Sequence, residues 1–263
     1  MRRSGRRLGI SASVQSARVG WAGLMGKLVD RGCFPSFVGL GAQRCGTTWW
    51  FSQIMLLPDV SPPVSGLKEL HVLDRPADSN DESRLLDLYQ AQFDSGSRIN
   101  GEWTPSYLSN PYAIDRLTLL PAETRFLVLL RDPRHRISSA IDYQRTRHGQ
   151  LSQGELQSLV WRSLYGSCLR SVLSAIDQER ILVQTLETCV RQPTAELTRV
   201  ANHLGIEWPV DGVPISTQPT NEGPPTTGSH DWIAEQWSEL LEEDARLLAR
   251  LGYEDIVEAW HAA

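Results

Sequence analysis

The chain has 263 residues, 41% of them hydrophobic and 22% charged, with 9 Trp. That supplies one large core and excludes a disordered, fibrous or disulfide-stapled chain. The net charge of −5 is uneven: six Arg and Lys27 against Asp30 alone give +6 over the first 33 residues, which leaves −11 on the remainder.

Residues 1–33, rich in Ser, Gly and Arg, read as a flexible, solvated basic leader, with an arm for nucleic acid or anionic lipid as the alternative. Residues 21–29 are too short, and too broken by Gly and Lys27, for a signal h-region or a membrane span, which predicts a cytoplasmic protein. Cys33, Cys45, Cys168 and Cys189 stand far apart with no C-x-x-C pair, which argues against a disulfide framework or structural zinc. Lys27 and Lys68 are the only lysines beside 24 arginines, so Arg in place of Lys carries little meaning here and Lys68 stands out.

In chain order, residues 36–40 form a bare apolar run ending at Gly41. A Gly-containing turn follows, then a helical pattern through Trp49, Trp50, Phe51 and Ile54, so the expectation is strand, tight loop, helix. Residues 98–103 suggest a further strand. Residues 126–130 are too continuously apolar for a strand with one wet face, and Arg131-Asp132-Pro133 then opens a helical stretch to about Arg147. Residues 181–183 suggest another buried strand. Helical patterns are predicted at 81–92, 111–120, 153–176, 193–204 and 230–251, and a loop rich in Pro, Gly and Thr at 209–228. Strands alternating with helices predict an α/β fold: one P-loop-like domain over 34–263, its central, mostly parallel sheet flanked by helices.

Residues 41–48, Gly-Ala-Gln-Arg-Cys-Gly-Thr-Thr, match G-x-x-x-x-G-[KT]-[ST], except that Thr47 stands where a Walker loop has Lys. The anion-binding physics survives that change. Glycine lets the backbone wrap an anion, a helix beginning near Gly46 aims free N–H groups at it, and Arg44 supplies charge. A plain strand-to-helix turn is the competing reading.

Three further segments follow: Gly66-Leu67-Lys68-Glu69-Leu70-His71, Gly101-Glu102-Trp103-Thr104-Pro105-Ser106-Tyr107, and Arg131-Asp132-Pro133-Arg134-His135-Arg136-Ile137-Ser138-Ser139. With the loop, this order resembles the sulfotransferases that use 3′-phosphoadenosine 5′-phosphosulfate (PAPS), above all the glycan (heparan sulfate) branch and its bacterial-type members. The likeness extends through residues 181–206.

The resemblance implies transfer of the PAPS sulfuryl group to an acceptor hydroxyl on a carbohydrate, glycolipid or secondary metabolite, with no metal and no nucleic-acid partner. It places Arg44, Cys45, Gly46, Thr47 and Thr48 on the 5′-phosphosulfate, Arg44 where the family's Lys reaches the bridging oxygen, and Arg131 with Ser139 on the 3′-phosphate. It makes Glu69 the general base and puts residues 104–107 on the acceptor side. Lys68 and His71 complete the catalytic set, Lys68 standing in for a family lysine whose place Trp103 takes, and His71 touching the acceptor. Without the resemblance, Glu69 reads as a solvated loop carboxylate, Trp49 and Trp50 as packing, and Arg134 with Arg136 as a solvated helix face. The rival functions are a non-catalytic nucleotide-binding protein and a P-loop kinase. The kinase would need the missing Walker Lys.

Overall fold

The computed structural model describes residues 33–76, 82–96, 98–216 and 235–262. The leader, apart from Cys33, lies outside the described residues, as does the loop expected at 209–228 from residue 217 onward.

Five strands, β1 (Phe37–Gly41), β2 (Val60–Ser61), β3 (Ile99–Trp103), β4 (Arg125–Leu130) and β5 (Ile181–Thr185), form one sheet in the order β2-β3-β1-β4-β5. Every pairing is parallel. The bare apolar runs follow from this: β1 and β4 are covered on both faces and have no wet side to alternate with.

The described helices are α1 (Thr47–Ile54), α2 (Glu82–Gln90), α3 (Pro111–Leu117), α4 (Pro133–His148), α5 (Gln153–Trp161), α6 (Tyr165–Leu173), α7 (Leu186–Arg191), α8 (Pro193–Leu204), α9 (Ser238–Leu248) and α10 (Glu254–His261). Trp49 and Trp50 of α1 and Leu197 and Val200 of α8 pack with Phe37, Trp103 and Leu129 on one face of the sheet. Leu169 and Val172 of α6 join Val38, Leu40 and Val128 on the other.

The helix expected over 153–176 is two helices. α5 is opened by a capping box of Ser152 and Glu155, and a turn at residues 162–164 separates it from α6. The Asp244 carboxylate of α9 accepts the N–H groups of Gly166 (2.7 Å) and Ser167 (2.8 Å), so a partner from a distant helix caps the new start. The two-residue strand β2 and the helices α7 and α10 have no counterpart among the expected elements.

The chain leaves β1 toward β3 and β2 on one side, then crosses to β4 and β5 on the other. The carboxyl ends of β1, β3 and β4 therefore flank the point where strand order reverses, the place where α/β sheets hold ligands.

Candidate active site

The loop after β1 begins with a register irregularity between Gly39 and Gly41, where Ala42 donates to the Leu129 carbonyl at 2.7 Å. Gly46 sits at φ 77° and caps α1 with backbone alone, so L side chains are disfavoured there. Among the described residues no acceptor meets the N–H groups of Gly46, Thr47 and Thr48, which leaves the first turn of α1 open to an anion. Cys45 is fully buried. Burial pushes its thiol up to about 11, the bond with Tyr165 and nearby arginines only partly countering this, which disfavours the reactive thiolate.

Lys68 joins the loop to the next segment. Its Nζ donates to Thr47 Oγ1 at 3.1 Å and Thr48 Oγ1 at 3.2 Å, and pairs with Glu69 Oε1 at 2.9 Å. Glu69 Oε2 lies 3.4 Å from His71 Nε2, and His71 Nδ1 lies 2.9 Å from Asp74 Oδ2, which also accepts from the Ser106 hydroxyl at 2.6 Å. The result is a continuous polar chain from the loop through Lys68, Glu69, His71 and Asp74. Glu69 and His71 meet because His71 takes φ 49° and turns the backbone, not because an extended strand aims alternate side chains one way.

The electrostatics follow from these contacts. Hydrogen bonds to Asp74 and Glu69 raise the His71 imidazole to about 9 against the opposing cost of burial. Burial works to raise Glu69, but the His71 bond and the Lys68 charge outweigh it and hold the carboxyl below its ordinary range. At neutral pH, Glu69 is ionised and His71 is protonated.

Beneath this segment lies a polar support that sequence reasoning missed. The Thr104 hydroxyl accepts the N–H groups of Leu70 (3.0 Å) and His71 (3.3 Å) and donates to Glu102 Oε2 (2.7 Å). The Tyr107 hydroxyl accepts those of Val72 and Leu73, and Tyr89 donates to Glu102 Oε1. Thr104 and Tyr107 are fully buried, so of the expected acceptor-side residues 104–107 only Ser106 is partly exposed. Burial pushes the Glu102 carboxyl up to about 7 against its hydroxyl partners. Trp103 also faces the core, its ring lying over Gly39.

On the other side of the loop, the Arg44 Nη2 meets Ser139 Oγ at 3.4 Å, and its guanidinium carbon stacks 4.3 Å from the centre of the Tyr143 ring. Arg131 follows the last residue of β4 on the same side. It makes no ion pair with Asp132, whose side chain instead caps α4 by accepting the N–H groups of Arg134 and His135. Glu187 of α7 accepts the Asp132 N–H at 2.9 Å and fixes the backbone next to Arg131.

Arg136 departs from the expected solvated face. It is 0% exposed, donates to the carbonyls of Gln43 and Leu159, and so ties α4 to the loop, while Arg134 does remain exposed, beside Glu242. A lone Arg in a charged helix carries no sequence signal for such a buried role. The structure thus brings Lys68, Glu69 and His71 together on one flank of the loop, and Arg44, Arg131 and Ser139 on the other. Among the described residues no group of three or more His, Cys, Asp or Glu is placed to hold a metal ion, and no helix is long and apolar enough to cross a membrane.

A family model described as "Sulfotransferase family" matches residues 35–210. Human heparan sulfate glucosamine 3-O-sulfotransferase 3A1 is 25% identical over 203 residues, 70% of this chain and 48% of that protein; the mouse protein is 26% identical over 217 residues, 76% and 52% respectively. The chain therefore spans about half the length of the curated relatives it matches. Among solved structures, a sulfotransferase from Alicyclobacillus acidocaldarius superposes with a TM-score of 0.61 at 21% identity, covering 86% of this chain and 98% of that one. Mouse sulfotransferase SULT7A1, solved in complex with PAP, gives 0.51 at 13% identity, covering 91% and 93%. At these identities the superpositions establish a shared fold.

Proposed function

This chain belongs to the sulfotransferase family, and from that premise we propose that it transfers the sulfuryl group of PAPS to an acceptor hydroxyl, with Glu69 as the general base. The observation that carries the reading is Lys68, whose one ammonium group bonds both hydroxyls at the start of α1 and the carboxylate of Glu69. A cation so placed lies between an anion held on the loop and the base that deprotonates the acceptor.

The residues suit the nucleotide. The open N–H groups at Gly46, Thr47 and Thr48 fit the 5′-phosphosulfate end, and Arg131 with Ser139, two helical turns apart, fit the 3′-phosphate. When bound, PAPS supplies an electrophilic sulfur and a phosphate leaving group.

The chain does the rest. Glu69, ionised at neutral pH, accepts the acceptor's proton as its oxygen approaches sulfur, when that proton becomes acidic enough for a weak carboxylate base. His71, protonated between Glu69 and Asp74, orients the carboxylate. Lys68 and the α1 N–H groups are preorganised where charge grows on the departing oxygen.

The test is turnover of radiolabelled PAPS against a panel of hydroxyl acceptors (oligosaccharides, glycolipids and small phenolic or alcoholic metabolites), with calorimetry of adenosine 3′,5′-bisphosphate (PAP) and ATP alongside. Labelled product, and PAP bound much more tightly than ATP, are expected. Equal affinity for the two nucleotides, or no transfer to any acceptor class despite PAP binding, would overturn the reading in favour of another nucleotide enzyme or a binding protein.

A further inference from the structure

Arg44 occupies the loop position expected to face the transferred group, yet its side chain runs the other way. The backbone at Arg44 takes φ 68°, a left-handed conformation that non-glycine residues seldom adopt, and from it the guanidinium reaches Ser139 of α4. There it stacks on Tyr143, and Arg147 stacks on the same ring from 4.6 Å. Ser139, Tyr143 and Arg147 recur every four residues and so share one face of α4.

This face is charged in one sense only. Among the described residues, Arg44, Arg131 and Arg147 have no carboxylate within ion-pair distance, and Arg44 Nε is buried with no acceptor. Burial works most strongly against the Arg44 charge, Arg131 and Arg147 each repel it, and Tyr143 and Cys45 counter this only in part. Such a cluster is relieved by an anion with several oxygens. The ammonium of Lys68, meanwhile, already stands over Thr47 and Thr48.

We propose that Arg44 reads the 3′-phosphate of the nucleotide together with Arg131 and Ser139, with Arg147 as an outer cation behind Tyr143, and that Lys68 alone supplies the side-chain charge at the transferred sulfuryl group. This assignment rests on the sulfotransferase reading above. It divides the two cations by job: Arg44 selects nucleotides that carry a 3′-phosphate, and Lys68 acts on the chemical step.

The experiment compares PAP with adenosine 5′-monophosphate, which lacks only the 3′-phosphate, by calorimetry or displacement on the full chain. Arg44→Gln is expected to lower PAP affinity about 10- to 100-fold, the range for lost charge-assisted bonds, and to change 5′-monophosphate affinity less than threefold. Arg147→Gln, on a helix surface where folding is not at stake, is expected to lower the PAP preference about two- to fivefold. Lys68→Met is expected to leave that preference unchanged and to reduce kcat. Equal losses for both nucleotides in Arg44→Gln would put Arg44 on the 5′ end and overturn the assignment. An unchanged preference in both Arg44→Gln and Arg147→Gln overturns it as well, while leaving the sulfotransferase reading intact. A wild-type protein that binds both nucleotides equally overturns the assignment along with the reading it rests on.

Discussion

The Thr104 hydroxyl donates to Glu102 Oε2 at 2.7 Å while accepting the N–H of Leu70 at 3.0 Å. One hydroxyl thus links a buried carboxyl on β3 to the backbone of the segment that carries Glu69 and His71. Thr104→Val keeps the shape and removes the bonds, leaving buried N–H groups and a carboxylate oxygen short of a partner. The expected cost is about 1–3 kcal/mol by urea unfolding. Turnover is expected to fall with PAP affinity unchanged, and Thr104→Ser to restore both. A Val variant with wild-type kcat would show that the segment holds its geometry without this support.

Much of the site was legible because it depends on local sequence. The strand-loop-helix at 36–54 announces itself through a bare apolar run, Gly41 and Gly46, and Arg131 follows the second such run directly. What escaped was set by tertiary contact. Arg136 reads as a surface residue until Gln43 and Leu159 turn their carbonyls toward it. The break between α5 and α6 depends on Asp244, 77 residues beyond Ser167. Asp74 lies three residues past His71, yet its pairing needs the left-handed turn at His71 that no residue type there announces.

Gly39 makes a second prediction. A Cβ there would fall 2.0 Å from Cδ2 of the fully buried Trp103, which has no space to retreat. Gly39→Ala is expected to cost about 1–3 kcal/mol or more through overpacking. Gly39→Ala combined with Trp103→Leu should recover part of that loss in thermal denaturation. If the double variant is as unstable as the sum of the singles, the strain lies elsewhere.

A third concerns pH. The folded state raises His71 from 6.5 to about 9, so across that interval it holds more protons than the unfolded chain. The stabilisation from the Glu69–His71–Asp74 pairing is therefore complete below pH 6.5 and lost as pH rises through about 9. At the acid end it fades as pH falls through the lowered folded range of Glu69 and Asp74. His71 is half exposed, so the effect is modest and shrinks with salt. The Tm difference between wild type and His71→Asn, followed from pH 6 to pH 10, is expected to close on the alkaline side. A constant difference would mean that His71 contributes packing and not charge.

The last prediction separates the two candidates for the base. Glu69 pairs with Lys68, which touches the loop, whereas His71 is held between two carboxylates and is already protonated at neutral pH. A protonated imidazole cannot accept the acceptor's proton, which is why the proposal gives base function to Glu69. Glu69→Gln keeps the shape and removes the basic lone pair, and is expected to lower kcat by about 10²–10⁴ with PAP affinity nearly unchanged. His71→Asn should act through Glu69, lowering kcat less and chiefly raising the acceptor KM. The pH profile adds an independent check: with Glu69 as base, the acid limb of kcat/KM lies at or below the ordinary carboxylate range, whereas His71 as base would give a limb near 9. Near-wild-type kcat in Glu69→Gln, together with an inactive His71→Asn and a limb near 9, would reverse the roles.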